Sequence, residues 1–432
     1  MQTQRDHVHA HQFQMTRMSN ALVAGDPAGV DNPFQRPIVG LLTGILVAVL
    51  VAGGFLVYGW LVPGGNTTWR KPGTVIVEKE SGDRYIYAGG RLRPVRNMTS
   101  ALLLTGASAT VKLVSHSSLG GVPRGAAIGL PDAPPVLPSS SDLVAGPWMA
   151  CLTNGVHLDL DPAAPATPLG PDEFALADSG DRRFLVWRDT KFEVTEDAVP
   201  IALGAAGVAP VAAASSWLDA LPTGEPIRIP TVPGKGGKGP ALGGRAFRIG
   251  QLFTQSGGGR QRFLLRADGL APIGEGAFRL LRAVSATSVA LSAADIVEAP
   301  RSADRSLTDV LSGLAGVAYR DPGAGSLCLR QSAAGSQVVV GGRRYGPGTP
   351  AAVLAPGTAV VAYALPLPTP PAASKPWLVT SDGVRYDVGA KDALPSLKLT
   401  GPTIGIPAPW LAALPAGPVL SRAAIIGTLE SR

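Results

Sequence analysis

Between Pro37 and Val62 the chain carries no charged residue, reading PIVGLLTGILVAVLVAGGFLVYGWLV. Its 26 residues, rising about 1.5 Å each, exceed the roughly 30 Å hydrocarbon core of a bilayer, which predicts one tilted transmembrane helix over 37–62. Tyr58 and Trp60 fall at its far end, where amphipathic rings favour the interface. A cleaved leader fits less well, because the run is too long, starts late and lacks a small-x-small cleavage pattern. Within it, Gly40 and Gly44 have the spacing that lets two helices approach closely. Residues 1–36 form a polar tail with a short amphipathic helix stopped at Gly25-Asp26-Pro27. Met15, Met18 and Leu22 share one face of it, and Phe13 falls off that face. So short a helix is marginal alone, so this face is expected to pack on a partner or the membrane surface.

Past a linker at 63–73 the period shortens to that of strands, with Val/Leu/Ile runs cut by Gly, Pro and Asp. Four stretches share a unit of turn, Arg, aromatic, β-branched run, second turn and apolar return. They are SGDRYIYAGGRLRPV (81–95), SGDRRFLVW (179–187), GGGRQRFLLRADGLAPI (257–273) and SDGVRYDV (381–388). Each reads as a β-hairpin, too small to stand alone, so the four must pack on neighbours or a shared core. WLDALPTG (217–224) returns as WLAALPAG (410–417), and DAVP (197–200) stands upstream of the first as DALP (392–395) does of the second. Trp217, Leu218 and Leu221, and likewise Trp410, Leu411 and Leu414, fit one apolar face of a short helical turn and read as repeat packing anchors. Proline then stops the helix, and glycine is expected to take the left-handed turn-out conformation.

This pattern divides the chain beyond the linker into a first repeat (74–110), a central part with Cys151 (111–177) and a second repeat (178–243). A third repeat (244–300), a central part with Cys328 (301–370) and a fourth repeat with the C-terminal tail (371–432) follow.

Composition supports many short elements. The chain has 54 Gly and 40 Pro in 432 residues, and its 45% apolar content excludes general disorder. The net charge is +7 with a sequence pI near 9.6, and residues 1–69 balance. No Lys/Arg run is interleaved with aromatics, so nucleic acid is not an expected partner. The nearest run, GKGGKG (234–239), reads as a flexible surface loop. The charge reads as diffuse and suits an anionic membrane or cell-wall environment. Cys151 and Cys328 are the two cysteines, both beyond the span. A bridge between them would be normal on the oxidising side of the membrane; the other reading is two free buried thiols. The bridge reading places 1–36 in the cytoplasm and 66–432 outside.

Candidate chemistry is sparse. The phosphate-binding pattern GxxxxGK[ST] does not occur, and Lys235 and Lys238 are each followed by Gly, without the hydroxyl that would ligate magnesium. GxSxG does not occur either. On an alternating strand His157, Asp159 and Asp161 would share a face, a conceivable cation site, although a solvated strand face is the stronger reading. His7, His9 and His11 read as solvated. No catalytic, cofactor or metal residue is assigned.

Several stretches together resemble EccB, a family of core membrane components of the ESX (type VII) secretion systems of actinobacteria. They are HQFQMTRMSNAL before the span, KESGDRYIYAGGRLRPVRNMTSALLL (79–104), GVPRGAAIGLPDAPPVLP (121–138), GPWMAC (146–151) with its Trp-x-x-Cys, and PAPWLAALPAGPVLSRAAI (407–425). The resemblance covers essentially the whole chain in order. The 121–138 stretch is more apolar than usual, and the 233–242 loop looks particular to this member. The resemblance implies an α+β, mainly β protein. One N-terminal transmembrane helix is followed by an elongated extracytoplasmic domain of about four related repeats around a central β domain with one disulfide, here Cys151–Cys328. It implies a single-pass inner-membrane protein with a cytoplasmic N-terminus and a periplasmic C-terminal domain. Expected partners are the EccC ATPase, EccD, EccE, the mycosin protease and further copies of itself, with peptidoglycan as a further contact. The leading expectation is a structural scaffold of the secretion channel. The alternatives are an independent peptidoglycan-binding protein and, third, an extracytoplasmic ATPase, as some family labels suggest.

Overall fold

The computed structural model describes residues 4–23, 25, 28, 35–61, 67–257, 259–285, 287–314, 316–346, 348–369, 374–389 and 393–430. The chain divides into two compact units, one of residues 1–94 and 110–127, the other of 95–109 and 128–432.

The first unit carries helices α1 (Gln4–Val23) and α2 (Gln35–Leu61) and strands β1 (Thr74–Glu78), β2 (Arg84–Ala88) and β3 (Arg91–Pro94). Helix α3 (Met98–Thr105) belongs to the second unit, and the chain then returns to the first with β4 (Thr110–Val114) and α4 (His116–Leu119). The sheet order is β3-β2-β1-β4, antiparallel except that β4 runs parallel to β1. Gly89 and Gly90, both at positive φ, make the two-residue turn whose twist suits the β2–β3 hairpin. Ile76, Tyr85, Leu92, Val114 and Leu119 form the core with Trp69, a fully buried residue of the stretch read as linker.

In the second unit β5 (Trp148–Leu152), β6 (Val156–Asp159) and β7 (Ala166–Pro168) begin a sheet completed later. The second repeat is β8 (Glu173–Ser179), β9 (Arg182–Trp187), β10 (Thr190–Val194), α5 (Ala198–Ala202), β11 (Val211–Ala212) and α6 (Ser215–Asp219). The third is β12 (Leu252–Gln255), β13 (Arg262–Arg266), β14 (Gly269–Pro272), α7 (Glu275–Val284), β15 (Ser288–Leu291) and α8 (Ala293–Glu298). Strand β16 (Ala318–Tyr319) pairs with β8. Strands β17 (Ser326–Ser332), β18 (Gly335–Gly341) and β19 (Ala352–Val353) complete the central sheet in the order β19-β6-β5-β17-β18-β7. The fourth repeat is β20 (Ala359–Leu365), β21 (Pro376–Thr380), β22 (Arg385–Asp387), α9 (Ala393–Ser396), β23 (Thr403–Pro407) and α10 (Ala408–Ala412), and α11 (Arg422–Glu430) follows.

All four repeats share one topology: an antiparallel three-strand meander, a crossover helix, a strand parallel to the first, and a short helix. A backbone closure follows at the far edge. The carbonyl of Pro123, Pro222, Pro300 or Pro415 accepts from the third-strand amide of Leu92, Lys191, Leu270 or Arg385, at 2.7–2.9 Å. The carbonyls of those four residues accept in turn from Gly125, Gly224, Ser302 and Gly417 at 2.8–3.0 Å. Proline has no N–H to satisfy there and offers only the carbonyl this edge needs.

Three features differ from the sequence reading. SDG (381–383) is the β21–β22 turn, whereas SGD at 81–83 and 179–181 are the turns before the second strand. The fourth hairpin is therefore offset by one turn, because Gly/Asp turns look alike in sequence. The first strand of the second repeat starts at Glu173 and that of the fourth at Ala359, inside stretches read as central. Gly224 and Gly417 are not at positive φ. A Cβ on them would lie 2.2 Å from Phe192 Cε1 and 2.1 Å from Tyr386 Cε1, so close approach rather than a left-handed turn requires glycine.

Candidate functional surfaces and buried polar clusters

The central sheet brings the cysteines together. Cys151 on β5 stands directly opposite Cys328 on β17, and the two are disulfide-bonded. The bridge thus ties neighbouring strands of one sheet and does not clasp the two Trp-bearing repeats to each other. Those repeats meet the sheet through packing. Trp217, Leu218, Leu221, Trp410, Leu411 and Leu414 are all buried in one core with Trp148, Ala150, Leu327 and Leu329. Trp217 Nε1 donates to Ala150 O at 2.9 Å and Trp410 Nε1 to Ser216 Oγ at 3.1 Å, so burial leaves neither indole N–H unpaired. Trp148 and Trp410 meet edge to face at 6.1 Å.

Within the second unit, crossover helices also pack on one another. Helix α5 packs on α7, with Val199, Leu203 and Leu280 in one core. Helix α3 packs on α9 and α11, burying Leu102 and Leu103 with Leu397, Leu399 and Ile425. Asn97 caps α3 by accepting from Ser100 N at 2.9 Å, while its Nδ2 donates to Leu130 O at 2.8 Å. Ser100 Oγ accepts from Leu130 N, and Thr99 donates to Pro134 O. The NMTS stretch and the GLPDAP stretch are therefore two sides of one buried polar clasp.

The other polar groups are largely paired internally. Asp159 is fully buried and accepts from Tyr345 and from Arg343 Nη1 at 3.3 Å, and Arg343 also pairs with Asp161. His157 stacks on Tyr345 and faces Pro350 O at 3.2 Å. The strand face is occupied internally, because Tyr345 donates to Asp159 and the guanidinium of Arg343 bridges both carboxylates. Its hydrogen bond holds the Asp161 carboxyl below the usual carboxylate range, and burial pushes the Tyr345 phenol up. In the first unit buried Glu78 pairs with His116 and accepts from Ser81 at 2.9 Å and Tyr85 at 3.2 Å. The His116 contact is the main reason its carboxyl lies below the usual range. Among the described residues no group of three or more His, Cys, Asp and Glu is arranged to hold a metal ion.

The 234–239 stretch is not a loose loop. Gly236 N donates to Ile249 O, Ile249 N to Gly237 O and Gly239 N to Phe247 O, each at 2.9 Å, making a hairpin-like turn. Leu242 and Phe247 anchor it in the core of the third repeat. Lys235 and Lys238 lie exposed on this turn.

Helix α2 presents Pro37–Trp60, 24 residues of mean hydropathy 2.5, with none of its most apolar window buried. Gly40 and Gly44 face open space. On α1, Met15, Met18 and Leu22 are exposed, as is Phe13, and α1 runs beyond the short helix expected, to 20 residues. Asp26, Pro27 and Asp392, used in the sequence reading, lie outside the described residues. Sequence reading missed Trp69, Arg343 and Tyr345. The alternation of His157, Asp159 and Asp161 marked one side of the cluster, but nothing short of strand pairing brings Arg343 and Tyr345 to it.

The chain matches a family model described as Type VII secretion system ESX-1, transport TM domain B, over residues 1–315 and 323–429. It is similar to the ESX-3 secretion system ATPase EccB3 of Mycobacterium tuberculosis, 27% identical over 481 residues, spanning 97% of this chain and 88% of that one. Among solved structures it is similar to a chain in the periplasmic assembly from the ESX-5 inner membrane complex, with a TM-score of 0.56 and 22% identity over 85% of this chain and 98% of that chain. It is also similar to a chain of the EccB3 dimer from the ESX-3 core complex, with a TM-score of 0.53 and 22% identity over 81% of this chain and 99% of that chain.

Proposed function

The chain belongs to the EccB family, transport TM domain B of the type VII secretion system, and from that premise we propose that it is a membrane-anchored structural component of an ESX secretion complex. In this reading α2 crosses the inner membrane once, the tail with α1 lies in the cytoplasm, and the repeats and central sheet lie in the periplasm. The exposed Met15, Met18 and Leu22 contact the cytoplasmic side of the assembly, the EccC ATPase and EccD, and Gly40 and Gly44 allow close helix packing within the bilayer. EccE and the mycosin protease are further partners, and the chain self-associates, as the dimeric form of a related solved chain suggests.

The observation that carries the scaffold role is the internal pairing of the buried titratable groups. An active site needs an acid, base or nucleophile held ready in a cleft. Here Asp159, Asp161 and Glu78 are already held by Arg343, Tyr345 and His116. Relatives carry the word ATPase in their names, but GxxxxGK[ST] does not occur in this sequence. The hydrolytic reading therefore has no phosphate-loop motif to rest on.

The test isolates the full chain from native membranes in mild detergent. Met15→Asp, Met18→Asp and Leu22→Asp together should strip away the ATPase and multispan neighbours without shifting the melting of the periplasmic part. ATP turnover by the purified chain, unchanged by Lys235→Ala plus Lys238→Ala, would overturn the non-catalytic reading.

A further inference from the structure

In every repeat the returning segment after the short helix is hydrogen-bonded to the third strand, and in the second and third repeats the two help to line a groove. In the second repeat this groove is small, about 200 Å³, and its charges cancel. Arg182 and Lys191 face Glu193 and Asp219 across it, and Lys191 Nζ is held by Leu218 O at 2.8 Å and Asp219 at 3.4 Å. The strand register and the closing hydrogen bonds carry each position across to the third repeat. Lys191 corresponds to Leu270, Glu193 to Pro272, Phe184 to Phe263 and Thr223 to Arg301.

There the groove widens to about 360 Å³. Phe263, Leu270, Ile273 and Ile296 supply an apolar floor, and Arg260, Arg262, Arg301 and Arg305 line it with no acidic residue among the lining. Arg262 is paired with Glu275. Arg305 is tethered by Ser302 O at 2.8 Å and Asp304 O at 3.0 Å, contacts that orient a guanidinium without neutralising it. Arg260, Arg301 and Arg305 make no ion pair among the described residues. Three guanidinium groups outside any salt bridge, with Arg305 in the field of neighbouring Asp304, line one concavity and have the fork geometry that receives oxyanions. The surrounding segment adds to the field. Residues 231–309 hold eleven Lys/Arg against six Asp/Glu, a net of +5 within a chain of +7. Residues 70–127 and 310–432 are similarly basic, at net +6 and +5, so what distinguishes the third repeat is the placing of its arginines around one groove and not the segment's net charge.

We propose that the groove of the third repeat binds an oxyanion, a carboxylate or phosphate carried on a body with an apolar face. The anion sits between Arg260, Arg301 and Arg305, and the less polar part of the ligand lies on Phe263 and Ile296. The site is independent of the assembly role: either can fail without the other.

Calorimetric titration of the full chain in mild detergent, at about physiological salt so that unspecific attraction is screened, tests it with two probes. Muramyl dipeptide offers a carboxylate, and sn-glycerol 3-phosphate a phosphate. Saturable binding of at least one is expected, and which one binds identifies the anion. Arg301→Glu with Arg260→Glu should weaken it about tenfold or more, the loss of charge-assisted hydrogen bonds, with melting unchanged. Lys235→Glu with Lys238→Glu, which reverses charge on the same repeat outside the groove, should change it less than about twofold. Two results would overturn the site: no saturable binding of either probe at millimolar concentration, or equal losses in both variants, since the latter would mean a diffuse field alone.

Discussion

Residues 171–230, which carry the second repeat with its flanks, hold ten acidic and five basic residues, and residues 231–309, which carry the third with its flanks, hold six and eleven. Both nevertheless fold into the same meander, crossover helix and parallel fourth strand, closed by the same proline carbonyl. The topology therefore rests on backbone pairing and turn chemistry, while the side chains around it are free to diverge. They diverge in matched sets. Where Phe192 flanks the closure of the second repeat, position 224 is glycine; where Ala271 does so in the third, Ser302 fits. Attachment differs as well. Asp189, in the β9–β10 turn, accepts from Val338 N of the central sheet at 2.6 Å, and Trp217 reaches Ala150. The matching Asp268 accepts from Ala303 N of its own repeat at 3.4 Å, and the third repeat closes two cores largely from its own residues. One copy is built onto the central sheet; the other mostly completes itself and keeps its basic groove open.

The largest effect expected on this contrast comes from the disulfide. It closes a loop of 177 residues, and chain-entropy reasoning gives it about 5 kcal/mol. Replacing Cys151 and Cys328 with Ala should lower the melting temperature and speed amide exchange in β8 and β9, with much less change in β12 and β13. Equal acceleration in both repeats would erase the distinction. Next, Trp217→Ala should cost about 3–5 kcal/mol, a buried indole and a hydrogen bond lost together. Ile296→Ala at the matching short helix should cost about 1–2 kcal/mol, because that side chain is only half-buried. Chemical denaturation reads both. Smaller again is the closure swap: Gly224→Ala should cost about 1–3 kcal/mol by overpacking against Phe192. Ser302→Ala should cost about 1 kcal/mol or less, the bond its Oγ accepts from Asp304 N.

The smallest effect is acid sensitivity of the third repeat. The Ser306 amide, 2.7 Å away, holds the Asp304 carboxyl below its ordinary range, with Arg266 and Arg305 assisting. A carboxyl lowered on folding contributes stability that is complete above its unfolded value, near 4, and is lost as pH falls through its folded value. Protection of the β13 and β14 amides, relative to their intrinsic exchange, should therefore fall between about pH 4 and pH 2, and Asp304→Asn should flatten that fall.

Much of this architecture was legible in the chain. The uncharged run lies in α2 from Pro37 to Leu61, and the WLxALP echo marks two buried short helices because Trp and Leu at helical spacing have no other place to go. DAVP and DALP mark two crossover helices, α5 and α9. The start of the fourth repeat was not legible, since SDG serves equally as first or second turn and only strand register separates them. Nor was the groove of the third repeat. Arg260, Arg301 and Arg305 are scattered over 46 residues of sequence, and their convergence depends on the closure at Pro300. Asp159 misled for the same reason, because Arg343 lies 184 residues away and reaches it only through the central sheet.

The scaffold account is tested most directly by the native mass of the full chain isolated from its own membranes in mild detergent. An assembly many times the 44.2 kDa of one chain, containing an ATPase and multispan subunits and losing them when Met15, Met18 and Leu22 become Asp, is the predicted result. A particle of one chain with its detergent, unchanged by those substitutions, would contradict it.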